Sequence, residues 1–340
     1  MTQSPSVARK AKAVSVAIAL VGSSSALAAE ESSAQLVDPI RVGIIDTDAT
    51  VVHQPKNGVT VSYASFIREG AVPGSHKTKS GREHGADVAR AFIEQAEQID
   101  PKSPIHIYSA GVFFRTGNKR DEDGNRPMEI DWSAANKALD WLRDNNVRVV
   151  ITPFIARESL EVNEFMGKAR ELGMVVFAAT QNVHTNVQPF PARHPDAISV
   201  TGSSRNLDFS TNEAMREWVM FQANASIPGK SLWMIPENGS SFAVGRAAAF
   251  GSFLVAKNPG IARDDIIETM RSVASVDRGV SNLSAGSVAV RFREALAEPS
   301  LRLAAKAEEP ELQGQPHEPA RLSQAARVGM MAALASGMGI

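Results

Sequence analysis

An α/β fold, doubly wound with helices on both faces of a mostly parallel sheet, is what the 340-residue sequence predicts. Three features predict it. Short runs rich in Val, Ile or Phe recur along the chain, each bounded by Gly, Pro or polar residues, as buried strands are. Between them lie stretches whose apolar residues fall at helical spacing. The two kinds alternate, which is the order of strands joined by crossover helices.

The first strand is Ile40 to Ile45, and Ile105 to Tyr108, Val147 to Ile151, Met174 to Ala179 and Ala197 to Val200 read the same way. A helix over His84 to Gln98 brings Val88, Ala91, Phe92 and Ala96 near one face. Ser133 to Arg143 does so with Ala134, Ala138, Leu139, Trp141 and Leu142, which makes Trp132 and Trp141 helix-packing residues, and Ser159 to Leu172 forms a third helix. Ser241 to Lys257 is small or apolar nearly all round, the mark of an interior helix. After a break at Pro259-Gly260, Ala262 to Ala274 is amphipathic and opens with Asp264 and Asp265 near its positive end.

The two ends differ from this pattern. Residues 1–28 read as a signal peptide: Arg9, Lys10 and Lys12 precede an apolar stretch from Ala13, and Ala26-Leu27-Ala28 supplies a small-x-small cleavage site. Gly22 and Ser23 to Ser25 leave that stretch too weak to span a bilayer, so the expectation is export, periplasmic or secreted, with no stable membrane insertion. About ten residues then lead to the first strand, too few for a folding pro-domain. The catalytic domain is expected over 38–297. Beyond it, residues 298–340 have the Ala/Pro/Glu-rich texture of a tail, with a short helix near its end and scope for a protein contact.

Composition narrows the function. Hydrophobic residues make up 43% of the chain, enough for a large core, and 37 acidic residues against 36 basic give a formal charge of −1. With no field of one sign, nucleic acid is a poor partner. There are no cysteines, so stability rests on the core rather than on disulfides.

Four segments carry chemistry. Ile44-Ile45-Asp46-Thr47 places a carboxylate at the C-terminal end of a buried strand. His84-Gly85-Ala86-Asp87-Val88-Ala89 opens a helix with an imidazole. Val175 to Asn182 is a buried strand ending in a carboxamide, and Gly239-Ser240-Ser241-Phe242-Ala243 starts the interior helix with a hydroxyl. In open α/β sheets, functional groups gather at such strand ends and helix starts. A serine needs a base to take its proton, and the base needs a carboxylate to orient it. Each residue also has a plainer role: Asp46 as a turn cap, Ser240 or Asn238 as the helix N-cap, and His184 or His194 as rival bases.

In this order the segments resemble the subtilisin-like serine proteases, or subtilases, whose motifs are Asp-Thr-Gly, His-Gly-Thr-His-Val-Ala, an Ala-Ala-Gly-Asn strand end and Gly-Thr-Ser-Met-Ala. The likeness runs from about Val37 to Ala297 and includes Ala192 to Val200 and Ser226 to Gly229. The resemblance implies a seven-stranded parallel sheet and a peptidase working through an acyl-enzyme on peptide or protein substrates. Asp46, His84 and Ser241 would be its triad, and Asn182 its oxyanion donor. It requires no cofactor.

Several positions depart from the pattern. Asp48 puts a second carboxylate close to Asp46, Asp87 replaces a histidine, Gln181 a glycine and Gly245 a proline. The largest change is Thr152 to Ala156, where the family keeps a glycine-rich run that pairs with substrate. Pro153 has no N–H to give, and Ile155 adds bulk. That altered edge admits an alternative, a subtilase-fold pseudoenzyme that binds or regulates. Asp121 to Asn125 invites a structural calcium, but reads better as a solvated charged loop.

Overall fold

The computed structural model describes residues 38–49, 58–78, 80–120, 124–180, 182, 189–203, 219–226, 239–277, 279–284 and 286–297. The segments read as signal peptide and tail lie outside them, as do Asp121 to Asp123, Gln181, His184 and Asn238.

One nine-stranded sheet organises the chain. Its strands are β1 (Ile40–Asp46), β2 (Val59–Ser65), β3 (Ile105–Gly111), β6 (Val149–Thr152), β7 (Val175–Ala179), β8 (Ala197–Ser203), β9 (Phe221–Asn224), β10 (Ser275–Asp277) and β11 (Val280–Asn282). Between β3 and β6, the short strands β4 (Phe113–Arg115) and β5 (Met128–Ile130) pair antiparallel in a sheet of their own. The order across the main sheet is β10-β11-β9-β8-β7-β6-β1-β3-β2. Every neighbouring pair is parallel except β10–β11 at one edge.

The five runs read as strands are β1, β3, β6, β7 and β8, with ends displaced by a few residues. The sheet is wider than the seven strands implied by resemblance. In β2 (Val-Thr-Val-Ser-Tyr-Ala-Ser) and β9 (Phe-Gln-Ala-Asn), polar residues interrupt the apolar run that marks the central strands.

Helices α1 (His84–Ile99), α2 (Trp132–Asp144), α3 (Leu160–Glu171), α4 (Ser240–Lys257), α5 (Arg263–Val273) and α6 (Gly286–Ala297) cover both faces. Side chains alternate across the strands, so each strand feeds two cores. Val42 and Ile44 of β1 pack with Val88, Phe92, Val244 and Phe292 from the helices on one side. Ile45 points the other way, to Leu139 and Leu142 of α2 and Phe165 of α3. Burial on both faces is why these strands read as continuous apolar runs. Local signals fix the helix starts: the Asp131 side chain accepts the Ala134 N–H of α2, and Ser159 accepts the Val162 N–H of α3.

α4 is the interior helix, buried from Ser240 to Leu254. It crosses α1 so closely that a Cβ on Gly245 would lie 2.8 Å from the Val88 carbonyl oxygen. The glycine at this position therefore belongs to the α1–α4 contact.

Candidate active site

At the C-terminal ends of β1, β6 and β7, a cavity of about 320 Å³ receives Asp46, His84, Asn182 and Ser241 together. The starts of α1 and α4 face it, carrying His84 and Ser241. β1 lies between β3 and β6, where the strand order turns back on itself. Such switch points open a crevice beyond the strand ends.

Asp46, the last residue of β1, is 2% exposed. Its Oδ1 accepts the Thr47 N–H at 2.7 Å, and its Oδ2 lies 2.6 Å from His84 Nδ1. A carboxylate only accepts, so the proton in this bond sits on Nδ1, and Nε2 is the basic nitrogen of the neutral ring. Gly85 makes the approach sterically allowed. A Cβ there would stand 2.5 Å from the Thr47 carbonyl oxygen and 3.5 Å from Asp46 Cβ. The Gly85 N–H also donates to Thr47 Oγ1 at 3.2 Å, tying α1 to the end of β1. The His84 ring is flanked by His76, edge-on at 5.3 Å, and by Phe242 at 6.0 Å.

Asp87, one turn into α1, is fully buried. Its carboxylate accepts from Thr78 Oγ1 (2.5 Å), Ser80 Oγ (2.7 Å) and Arg82 Nε (2.6 Å). It thus anchors the loop before α1, whose His76 carbonyl accepts the His84 N–H at 2.8 Å. This departure from the family motif has a structural role beside the imidazole.

Ser241, 8% exposed, is the second residue of α4. Its Oγ–H donates to the Pro153 carbonyl at 2.7 Å. In this conformation the Ser241 hydroxyl proton is directed to that carbonyl. Ser240 is not the N-cap; Gly239 holds that place, with no side-chain cap bond. The Ser240 hydroxyl instead shares its proton between the Thr180 carbonyl and Asn182 Oδ1, and its N–H donates to the same Oδ1 at 2.7 Å. With Oδ1 so engaged, the exposed Asn182 keeps Nδ2 as its remaining donor group.

The rival base His194 lies elsewhere. Its Nδ1 accepts the Asp196 N–H at 3.2 Å in the turn before β8, and burial pushes its pKa below the ordinary 6.5. From the altered segment Thr152 to Ala156, Pro153, Phe154 and Ile155 form one wall of the cavity. Phe154 meets Phe113 edge-on at 5.4 Å and Trp132 at 6.3 Å, so Trp132 supports this wall besides packing on Phe165 of α3. Ala156 exchanges both backbone hydrogen bonds with Phe190, at 2.7 and 3.1 Å, and Ile155 is 47% exposed.

His76, Phe113 and Met128 also line the cavity, and sequence reading passed over them. They come from a loop and from the β4–β5 pair, which carry no motif and no long periodicity. Among the described residues, no group of three or more His, Cys, Asp or Glu side chains is placed to hold a metal ion.

No family model matches the chain. Curated relatives do. Over 255 residues it is 23% identical to Subtilisin Savinase of Lederbergia lenta, covering 72% of this chain and 86% of the relative. Among solved structures, the protease domain of PatA, as a serine-to-alanine mutant, matches with a TM-score of 0.51 at 14% identity, over 75% of this chain and 95% of that one. The prenylagaramide maturation protease PagA matches with a TM-score of 0.50 at 15% identity, over 77% and 96%.

The fold is therefore subtilisin-like, and likeness to the subtilisins places the chain among the serine-type peptidases. In sequence it is similar to the subtilisins at the distance of a divergent member.

Proposed function

We propose that the protein is an exported serine endopeptidase that hydrolyses peptide bonds through an acyl-enzyme. The observation that carries this reading is the convergence of the Asp46–His84 pair, Ser241 and Asn182 on one cavity at the strand ends of a subtilisin-like sheet. In the reaction, Ser241 Oγ turns from Pro153 to His84 Nε2, which takes its proton as Oγ attacks the substrate carbonyl carbon. Asp46 stabilises the imidazolium. The Asn182 Nδ2 group and the Ser241 N–H, in the helix turn that has no intrahelical acceptor, receive the oxyanion. His84 then protonates the leaving amine, and the C–N bond breaks. Water, deprotonated by His84, hydrolyses the ester and returns Ser241 to its starting form.

No cofactor enters these steps. On this reading residues 1–28 supply the export signal, and the tail 298–340 offers scope for a protein contact. Purified protein is expected to react with a fluorophosphonate probe, and Ser241→Ala to lose all labelling. A wild-type protein that stays unlabelled where an ordinary subtilisin is labelled would sink the proposal.

A further inference from the structure

Next to the catalytic cleft lies a second cavity of about 300 Å³, lined by Lys77, Arg115, Arg120, Arg126, Gly124 and Asn125. The two are continuous in the chain. Met128 lines both, and in the run Ser75-His76-Lys77 the middle residue faces the cleft while its neighbours face the second cavity.

Among the described residues, the cavity gathers four cations and no carboxylate. Glu83, whose backbone bridges to Lys77, has its oxygens engaged by Ser75 Oγ–H at 2.6 Å and by the His76 N–H at 3.1 Å. Arg120 gives an N–H to the Gly124 carbonyl, and Asn125 Oδ1 accepts the Lys77 N–H at 2.9 Å. Arg126 Nε is buried with no hydrogen-bond partner. A buried N–H without an acceptor is unfavourable, and so is a concave site of like charges. An anion relieves both, because a guanidinium fork and a carboxylate match in shape and charge.

We propose that this cavity is a subsite for the carboxylate side chain of an acidic residue, on a peptide whose backbone lies in the adjacent cleft. The inference rests on the peptidase reading above and adds to it a substrate class: acidic peptides. Because the site shares Met128 with the cleft, the acidic residue sits a short way from the scissile bond.

The test reads binding, so it does not depend on turnover. Full-length Ser241→Ala protein is titrated with fluorescent peptides that differ only in carrying Glu or Gln at one position, scanned along the peptide, and anisotropy is followed at low and high salt. At one position the Glu peptide is expected to bind about tenfold tighter than its Gln partner, with the advantage shrinking as salt rises. Adding Arg115→Gln and Arg126→Gln is expected to remove that advantage while leaving Gln-peptide affinity unchanged, which also shows that the variant is folded. Equal binding of Glu and Gln peptides, no binding of either, or a preference that survives the double substitution overturns the proposal. So does a preference that emerges only after Asp121→Asn, Glu122→Gln and Asp123→Asn, since the chain's own acidic run would then fill the site. Failure of the peptidase reading shows separately, as absent fluorophosphonate labelling of the wild-type protein.

Discussion

Asn182 is held by its neighbour in a way that links two sites of substitution. Ser240 gives both its N–H and a share of its hydroxyl proton to Asn182 Oδ1, which fixes which end of the carboxamide faces the cavity. If Nδ2 stabilises the oxyanion, Asn182→Ala lowers kcat by about a hundredfold to a thousandfold with little change in KM. Ser240→Ala loosens the same group, and its effect is expected to be smaller, about tenfold. The double variant should be no slower than Asn182→Ala alone, because both changes act through one amide. Steady-state kinetics on one peptide substrate decides this. Asp46, His84, Ser241 and Asn182 stood out in the sequence because each lies near the end of a buried strand or the start of a helix, and register with the subtilase motif selected Ser241 over Ser240. Pro153 was noticed for the N–H it lacks, whereas its contact with Ser241 is made by a carbonyl, which every residue has. His76 and Met128 carried no signal, since loop residues reach a cavity through tertiary packing.

Two glycines control how helices meet the rest of the fold. At Gly245, a methyl group would press within 2.8 Å of the Val88 carbonyl oxygen, in the contact between α4 and α1. Gly245→Ala is therefore expected to destabilise the protein by about 1–3 kcal/mol, measured as a lower urea midpoint. At Gly85 the methyl would stand 2.5 Å from the Thr47 carbonyl oxygen, between α1 and the end of β1. Gly85→Ala shifts the start of α1 away from Asp46, so kcat falls along with stability. An unchanged kcat in a destabilised Gly85→Ala protein would show that the His84–Asp46 bond tolerates the shift. The central strands could be read because burial on both faces leaves them few polar residues, and five of the six helices among the described residues because their apolar residues recur at helical spacing. α6 was missed: Arg291 and Arg293 break up its apolar residues, and Gly286 opens it where a capping residue would be sought.

Protonation couples to the stability of the whole molecule through two histidines distant from the cavity. His106 sits on β3 against Tyr108, with Nε2 2.9 Å from Ser62 Oγ and Nδ1 3.1 Å from the Tyr108 hydroxyl. Burial, helped by the positive charge of Arg41, lowers its pKa from 6.5. Burial lowers that of His194 too, against the opposing pull of Asp196. With folded values below the unfolded one, the unfolded chain takes up more protons as the pH falls through 6.5. Their contribution is complete above the unfolded pKa and is lost below it. The melting temperature is thus expected to drop between about pH 7.5 and about pH 5, and His106→Gln to flatten that slope. Such long-range effects were not visible in the sequence, where His106 is one apolar-run neighbour among many and its burial is unknown until the sheet is assembled.

The small β4–β5 pair stands apart from the nine-stranded sheet and is joined to the loop before α1 instead, through the Gly74 N–H on the Phe113 carbonyl and the Arg115 N–H on the Val72 carbonyl. It contributes Phe113 and Met128 to the wall of the cleft and Arg115 to the basic cavity, yet no hydrogen bond of the central ladder passes through it. Evolution can accordingly swap this jaw for one of different length or charge while the hinge of the chemistry, the ends of β1, β6 and β7, stays in register. The cleft wall and the strand ends that hold the proposed chemistry thus lie on separate pieces of backbone.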